Sequence, residues 1–272
     1  MYRYFTVDFH THTFPEKIAA KAIAKLESGG RSKAHLNGTL TALIKANAED
    51  GIDCSVSLPV ATSVKQVESI NRLSAGLNGK SGVIFGGAIH PDCENIEAIL
   101  DYLKENGVKI IKIHPDYQGV CFDDERYIKI LRAAARRNIV TVTHAGVDLG
   151  YPDDVHCTPQ MILNVLDTLD GVIDNKLVLA HFGANEYPDD VLEYLCGRPV
   201  YFDTAYSLTS YPEKCREIIK KHGADKILFA TDSPWVDRRE YLKVFYSLNL
   251  SENENRKILG ENAASILDIN HK

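Results

Sequence analysis

The 272-residue sequence lacks features that mark several classes of protein. It has no tract of lysine or arginine, and its formal net charge of -6 argues against non-specific binding to nucleic acid or anionic membranes. Its 6 cysteines lie far apart without a CxxC pair, which favours reduced structural thiols over a disulfide framework or a thiolate zinc site. No run of about 18 apolar residues occurs, and the N-terminus shows no long apolar segment. We therefore expect a cytoplasmic protein without a nucleic-acid or membrane partner.

Glycine-rich phosphate-binding motifs are also missing from the sequence. Neither a GxGxxG nor a Walker pattern occurs, and "FHTHTFP" follows the first predicted strand instead. A doubly wound open sheet, the alternative architecture for alternating strands and helices, would normally carry a glycine-rich first turn. The absence of such a turn counts against that alternative.

Short β-branched runs alternate with longer helical patterns along the whole chain. The eight predicted strands are "YFTVDFH", "CSVSLPV", "VIFGGAIH", "KIIKIH", "IVTVTH", "KLVLAH", "VYFDT" and "KILFATD". A helical segment follows each strand, and the chain length of 272 residues is close to the roughly 250 residues typical of a (β/α)8 TIM barrel. We therefore predict an α/β fold with one barrel domain over residues 1–272. Residues 16–50 should form an extended loop and helix over the barrel mouth, and residues 251–269 a C-terminal helix with Ser251 and Glu254 as a capping box.

Six of the 10 histidines stand where a predicted strand ends. They are His10 and His12 on the first strand, and His90, His114, His144 and His181 on the third to sixth strands. Asp232 takes the same position on the eighth strand. The carboxyl ends of all strands meet on one face of a parallel barrel, where active sites are built, so these residues should converge. Of the other histidines, we expect His156 to contact a loop, and His35, His222 and His271 to lie on the surface.

The spacing of the first strand predicts its geometry. Side chains alternate between the two faces of a strand, so His10 and His12 should point the same way, about 6.5 Å apart. By the same alternation Asp8 should face the barrel interior with them, whereas Phe9 and Thr11 should face the helices. Imidazoles with a carboxylate suit zinc or, less selectively, manganese, iron or cobalt. The predicted ligands of one catalytic ion, with a position open for water, are His10, His12, His144 and Asp232.

Each of these residues also has a purely structural interpretation. An HxH pair alone can be a solvated strand end, a single strand-end histidine can be a hydrogen-bonded wall, and Asp232 can cap the next helix. It is their occurrence together, at the ends of several strands, that favours a metal site.

A lysine on the fourth predicted strand requires a separate interpretation. Lys112 stands two residues before His114 and should also face the interior, where a lysine is costly to bury unless it is paired. We expect it to pair with Asp8, Asp203, Asp232 or a substrate anion. The alternative is carboxylation to a carbamate that bridges two metals. The predicted substrate-binding residues are His90, Lys112, His114, Tyr117, Tyr206 and Trp235.

Six motifs together resemble those of a known superfamily. They are "DFHTH", "KIIKIHPDYQG", "VTHAG", "LAHFG", "FATDSPW" and "ILGENAASIL". They resemble the amidohydrolase superfamily, and most closely the amidohydrolase-related branch that contains aminocarboxymuconate-semialdehyde decarboxylase and the resorcylate decarboxylases. The resemblance runs over nearly the full length, in the order of the family, and it implies a metal-dependent TIM barrel.

The resemblance also implies roles for single residues. The two histidines of "DFHTH" and His144 would bind the metal. Asp232 would bind it too and exchange protons with the metal-bound water. His181 would act as acid–base group or oxyanion stabiliser, or hold a second metal in a binuclear centre. Lys112 is only an approximate match to the bridging lysine of binuclear members.

These observations predict an enzyme that acts on a small molecule. The preferred hypothesis is a metal-dependent hydrolase of a small amide, lactone or ester that carries a carboxylate, with Asp232 and His181 as catalytic residues. The first alternative is a metal-dependent non-oxidative decarboxylase of a small carboxylic acid. The second is a metal-binding barrel without turnover. Zn²⁺ is the expected cofactor, as one ion with a second left open, and a homodimer is left open as well.

Overall fold

The computed structural model describes residues 4–30 and 32–270. His271, predicted to lie on the surface, is outside the described residues. The strands in the described part are all parallel to their neighbours. They are β1 (Val7–Thr11), β2 (Cys54–Ser57), β3 (Val83–Phe85), β4 (Gly87–Ala88), β5 (Ile110–Ile113), β6 (Val140–Thr143), β7 (Leu177–Leu179), β8 (Tyr201–Asp203) and β9 (Ile227–Leu228).

These strands form a closed barrel. The hydrogen-bonded order is β1-β2-β3 in one sheet and β4 to β9 in another. β3 and β4 are two segments of one barrel strand on either side of Gly86, whose N–H donates to the Ser57 carbonyl at 2.9 Å. The circle closes between β1 and β9, where the Phe9 N–H donates to the Phe229 carbonyl at 2.9 Å. The predicted (β/α)8 barrel is confirmed.

Helices connect the strands around the outside of the barrel. They are α1 (Glu16–Gly30), α2 (Leu40–Asp50), α3 (Val64–Leu77), α4 (Ile96–Glu105), α5 (Pro115–Gln118), α6 (Glu125–Arg136), α7 (Pro159–Thr168), α8 (Pro188–Asp190), α9 (Pro212–His222), α10 (Arg238–Ser247), α11 (Glu252–Arg256) and α12 (Asn262–Leu267). Their starts follow capping chemistry, because Thr39, Asp124 and Asp237 each accept a hydrogen bond from the first turn of the following helix. The capping box predicted for Ser251 and Glu254 is present.

The interior of the barrel is apolar at the end opposite the strands' carboxyl termini. Side chains such as Val140, Val178 and Leu228 form one cluster there, and α12 adds Ala263 and Leu267 to it. This helix therefore closes the amino-terminal end of the barrel. None of the helices in residues 4–30 and 32–270 combines the length and the hydropathy that a membrane-crossing helix needs.

The first strand departs from the predicted alternation. Its register with β2 shifts between Asp8 and Thr11, as happens at a β-bulge. Phe9 belongs to the apolar cluster inside the barrel. Asp8 instead accepts hydrogen bonds from the Thr231 N–H at 2.9 Å and its hydroxyl at 2.6 Å, and lies 3.5 Å from Nε of Arg238 on α10. The predicted inward position of Asp8 and outward position of Phe9 are therefore wrong, whereas His10 does face the interior.

The predicted surface position of His222 is also wrong. Its ring is buried and stacks on Phe202, with ring centroids 3.9 Å apart. Nε2 lies 3.0 Å from the Val200 carbonyl, to which it donates, and Nδ1 accepts from the Gly197 N–H at 3.0 Å. The last turn of α9 faces the barrel at this position, so the histidine is used for packing.

Candidate active site

A cavity of about 210 Å³ lies at the carboxyl ends of the strands. It brings together the predicted site residues His10, His12, Lys112, His114, Tyr117, His144, His181, Tyr206, Asp232 and Trp235. Leu26 of α1 and Ser32 also line it, together with Phe14 and Val147. His90 is not among the lining residues, and its Nδ1 accepts a hydrogen bond from the Asp92 N–H at 3.2 Å.

Three lone-pair atoms meet in this cavity. Asp232 Oδ1 lies 3.2 Å from His12 Nε2 and 3.7 Å from His10 Nε2, and all three atoms lie within 4.8 Å of one another. Two ligand atoms that are each about 2.1 Å from a zinc ion are separated by at most about 4.2 Å. The two measured separations from Asp232 therefore fit ligands of a single ion.

The hydrogen bonds of the two histidines determine which ring nitrogen is available. A carbonyl oxygen can only accept, so His12 Nδ1, 2.8 Å from the Leu58 carbonyl, must carry the proton. His10 Nδ1 lies 2.8 Å from Asp203 Oδ2, to which it donates in the same way. Each neutral ring then presents a lone pair at Nε2, and that of His12 faces the Asp232 carboxylate. Two acceptors 3.2 Å apart need a positive charge between them, either a shared proton or a metal ion, and the two imidazoles and the carboxylate fit a divalent metal.

The electrostatics keep the carboxylate of the cluster ionised. Burial alone would raise the pKa of Asp232. In the protein without an ion, a hydrogen bond with His12 and the proximity of the His10 and His12 rings outweigh burial and hold this pKa below its ordinary value. Asp232 is therefore an anion at neutral pH, as a metal ligand and a proton acceptor must be.

Lys112 lies beside this cluster and is almost completely buried. Its Nζ is 3.3 Å from His10 Nε2. Burial lowers the pKa of Lys112 to about 8, against the opposing effect of the Asp203 and Asp232 carboxylates. Asp203 and Asp232 are thus the nearby acids that favour its charge, whereas the predicted partner Asp8 faces the helices.

His144 does not join the three-atom cluster but pairs with His181. His181 Nδ1 donates to the Ala205 carbonyl at 3.1 Å, so its Nε2 is the acceptor of a 2.9 Å hydrogen bond from His144 Nδ1. His144 Nε2 is left with a lone pair that is buried and has no hydrogen-bond partner among the described residues. It lies 3.7 Å from Asp116 Oδ2, which is also buried without a hydrogen-bond partner among the described residues.

A second group of residues, His114, His144 and Asp148, fits a metal poorly. Their donor atoms also lie within 4.8 Å of one another, and His114 Nε2 is 3.4 Å from Asp148 Oδ2. However, the two imidazole rings are stacked 4.2 Å apart at an angle of only 9°. Lone pairs lie in the plane of each ring, so one ion about 2.1 Å from both nitrogens would lie far out of both planes. We therefore assign this group to the cavity wall.

Among the other residues that line the cavity, Asp148 and Asn185 are polar and were not predicted as site residues from the sequence. Asp148 stands four residues after His144, and Asn185 four residues after His181. Both line the cavity, and Asn185 Nδ2 donates to the Val147 carbonyl at 2.9 Å. Extending the strand-end rule by four residues into the following loop would have found both of them.

Comparison with protein families gives a match over most of the chain. The model of the amidohydrolase family matches residues 59–269. The matched part begins after β2, so the HxH pair of β1 is supported by the geometry alone. No curated protein is a significant match in sequence.

Solved structures share the fold over nearly the whole length. A 5-carboxyvanillate decarboxylase from Sphingomonas paucimobilis has a TM-score of 0.70 at 14% identity, covering 98% of this chain and 99% of that one. A dihydroxybenzoic acid decarboxylase from Polaromonas sp. JS666, solved with bound manganese and the inhibitor 2-nitroresorcinol, has a TM-score of 0.72 at 16% identity, covering 99% and 98%. A probable 2-pyrone-4,6-dicarboxylic acid hydrolase from Acinetobacter baumannii, with citric acid bound, has a TM-score of 0.67 at 15% identity, covering 97% and 99%.

Proposed function

The chain belongs to the amidohydrolase family, and on that premise we propose that it is a metal-dependent hydrolase of a small amide, lactone or ester that carries a carboxylate. The observation that carries this proposal is the meeting of His10 Nε2, His12 Nε2 and Asp232 Oδ1 in the cavity. The apolar and aromatic walls around this polar centre, with Trp235 and Tyr206 among them, suit a small organic substrate.

The proposed ligands are His10, His12 and Asp232, with His144 as a fourth. His144 is the proposed fourth ligand because of its strand-end position, and its ring would have to turn to reach the cluster, since Nδ1 now bonds to His181 and Nε2 lies nearest Asp116. Zn²⁺ is the preferred ion for such a set of imidazoles and one carboxylate, and manganese is the alternative. A bound divalent ion would supply Lewis-acid chemistry, polarising a substrate oxygen and making water more acidic.

The residues of the chain then handle the protons. Asp232, ionised at neutral pH, accepts the proton of the water that attacks the substrate carbonyl. His181 has Nδ1 committed to the Ala205 carbonyl, and its Nε2 would exchange a proton with the leaving group once the hydrogen bond from His144 Nδ1 opens. Proton transfer of this kind contributes about 10²–10⁴-fold to a rate. The Lys112 ammonium, which lines the same cavity, pairs with the substrate carboxylate.

Decarboxylation is the second candidate, and the structural neighbours favour it. Two of the proteins with the same fold are described as decarboxylases of aromatic acids. In that reaction Asp232 or His181 first takes up a proton from solvent, the bond between the ring carbon and the carboxylate then breaks, CO2 leaves, and the same residue delivers its proton to the carbon. The same residues would act, with the proton moving in the opposite direction.

We further propose that the protein works in the cytoplasm on a small-molecule substrate, without nucleic acid or membrane. The scattered basic residues and the net charge of -6 support this. A homodimer is the proposed assembly, and sedimentation or light scattering of the purified protein tests it directly.

Metal analysis of variants tests the proposed site. We expect His10→Ala to lose about one equivalent of metal and Lys112→Ala to keep it, because only the first residue is a ligand in the proposed mononuclear centre. Full metal content in His10→Ala would refute the ligand assignment. Loss in Lys112→Ala as well would instead indicate a bridging carbamate.

Product analysis separates the two reactions. Metal-loaded protein is incubated in ¹⁸O-water with a panel of lactones, N-acyl amides and aromatic acids, while CO2 is recorded. Hydrolysis places ¹⁸O in the product carboxylate. Release of CO2 without ¹⁸O incorporation would overturn hydrolysis in favour of decarboxylation, and no turnover of any panel member would favour a binding protein.

A further inference from the structure

Asp203 lies at the end of β8, fully buried, between two functional histidines. Three donors converge on its carboxylate. Oδ2 lies 2.8 Å from His10 Nδ1, and Oδ1 accepts from the N–H groups of His181 at 2.9 Å and Ala205 at 3.1 Å. One carboxylate oxygen of Asp203 therefore bonds to the ring of His10, and the other bonds to the backbone N–H groups of His181 and Ala205.

The contact with His181 acts on the backbone. His181 has φ +59°, a left-handed conformation that a residue with a side chain adopts at a cost in free energy. The Asp203 carboxylate accepts the N–H of this residue, and the Ala205 carbonyl accepts its ring proton. Hydrogen bonds from two residues of one strand end thus stabilise the conformation that directs the imidazole into the cavity.

The contact with His10 acts on the ring. An imidazole that donates from Nδ1 to a carboxylate has its lone pair at Nε2, the nitrogen nearest Asp232 and Lys112. No other hydrogen bond of His10 Nδ1 is present in the described structure. Asp203 therefore fixes the tautomer of His10 from the Nδ1 side, and the Lys112 ammonium, 3.3 Å from Nε2, favours the same tautomer.

We propose that Asp203 is a positioning residue that fixes the metal-binding tautomer of His10 and the backbone of His181 at once. This inference rests on the proposed function, in which His10 is a ligand and His181 an acid–base group. Asp203 would contact neither metal nor substrate, but it would determine which nitrogen of His10 carries the lone pair and where the His181 ring points.

Asp203→Asn is the sharpest test, because an amide has one acceptor oxygen and one donor nitrogen. The N–H groups of His181 and Ala205 both donate to Oδ1, so the amide oxygen of the asparagine should take the Oδ1 position. The amide NH2 then faces His10 Nδ1, which must accept, so the proton of the ring moves to Nε2. The lone pair that would bind the metal is lost without a change in the size of the side chain.

The experiment measures metal affinity and the His10 tautomer separately. Calorimetric titration with Zn²⁺ and with Mn²⁺ should show affinity reduced about 10–100-fold in Asp203→Asn. Long-range ¹H–¹⁵N NMR of the metal-free protein should show His10 protonated at Nδ1 in the wild type and at Nε2 in the variant. Thr204→Val is the matched control, because it removes two buried hydrogen bonds with Ala230 next to Asp203 and touches neither imidazole.

The outcomes are distinguishable from failure of the proposed function. If the wild type binds no divalent metal, the proposed function fails. If it binds metal and Asp203→Asn binds it equally well, or if Thr204→Val loses as much affinity, the positioning role is refuted. Should Asp203→Asn not fold, the wild-type NMR spectrum still decides, since His10 protonated at Nε2 would overturn the proposal.

Discussion

At the scale of single residues, His222 shows how packing makes a histidine sensitive to acid. Burial, only partly opposed by the hydrogen bond with the Val200 carbonyl, lowers the pKa of His222 to about 4 from its ordinary value of 6.5. Between these values the unfolded chain binds a proton that the folded chain does not. Stability is therefore unaffected above pH 6.5 and falls as the pH falls from 6.5 to 4, by about 3 kcal/mol in total.

His222→Gln should flatten that part of the pH dependence. Glutamine does not titrate, so the free energy of unfolding of the metal-free variant should lose about 3 kcal/mol less than that of the wild type between pH 6.5 and pH 4. At pH 7 the variant should be less stable by about 1–3 kcal/mol, because the buried hydrogen bonds of the ring are disturbed. Urea unfolding at several pH values measures both effects.

The control for this experiment is His35→Gln, the same change at an exposed histidine. It should keep the wild-type slope. A His222→Gln curve parallel to the wild type over the whole range would show that His222 does not contribute to acid sensitivity.

At the scale of elements, the loops that follow β6 and β7 are joined by a close backbone contact. Gly146 and Asn185 form a parallel bridge, and the Asn185 N–H donates to the Ala145 carbonyl at 2.9 Å. A Cβ atom at Gly146 would lie 2.2 Å from both N and O of Asn185, and the glycine has φ +81°. The loops that carry Asp148 and Asn185 into the cavity therefore depend on this glycine.

Gly146→Ala should displace these loops and lower both stability and activity. The left-handed backbone alone costs about 1–2 kcal/mol, and the clash adds about 1–3 kcal/mol. Gly171→Ala is the matched control, because Gly171 has φ +70° but nothing in the described structure lies within 4 Å of its Cβ position. Thermal or urea unfolding of the two variants gives the difference, and equal losses would mean that the loops can separate freely.

At the scale of the whole molecule, the proposed metal joins the two strands that close the barrel. His10 and His12 lie at the end of β1, and Asp232 follows β9. A ligand that binds only the folded chain stabilises it, by about 2.7 kcal/mol at a free concentration of 100 times its dissociation constant. Adding Zn²⁺ to chelator-treated protein should therefore raise the free energy of unfolding by that order.

His12→Ala should lose most of this increment, because one of the ligands is removed. His90→Ala is the control, since His90 also ends a barrel strand but does not line the cavity. It should respond to zinc as the wild type does. Denaturant unfolding with and without zinc measures the increment, and an undiminished value in His12→Ala would contradict the predicted site.

The architecture could be predicted because each barrel strand is a local pattern that a single sequence shows. The convergence of His10, His12 and Asp232 followed from that architecture, since parallel strands end on one face. The orientation of Asp8 and Phe9 could not be predicted, because a bulge depends on how β1 pairs with β2. The pairing of His144 with His181 likewise depends on distances between strands, which no local pattern contains.

The closure of one barrel end by α12 also determines how substrate and product reach and leave the cavity. Ala263 and Leu267 of this helix join the apolar cluster inside the barrel, and the cavity lies at the opposite end. Substrate and product therefore use the same entrance to the cavity, and the product must leave before the next substrate can bind. Accumulated product therefore competes with substrate for the same entrance.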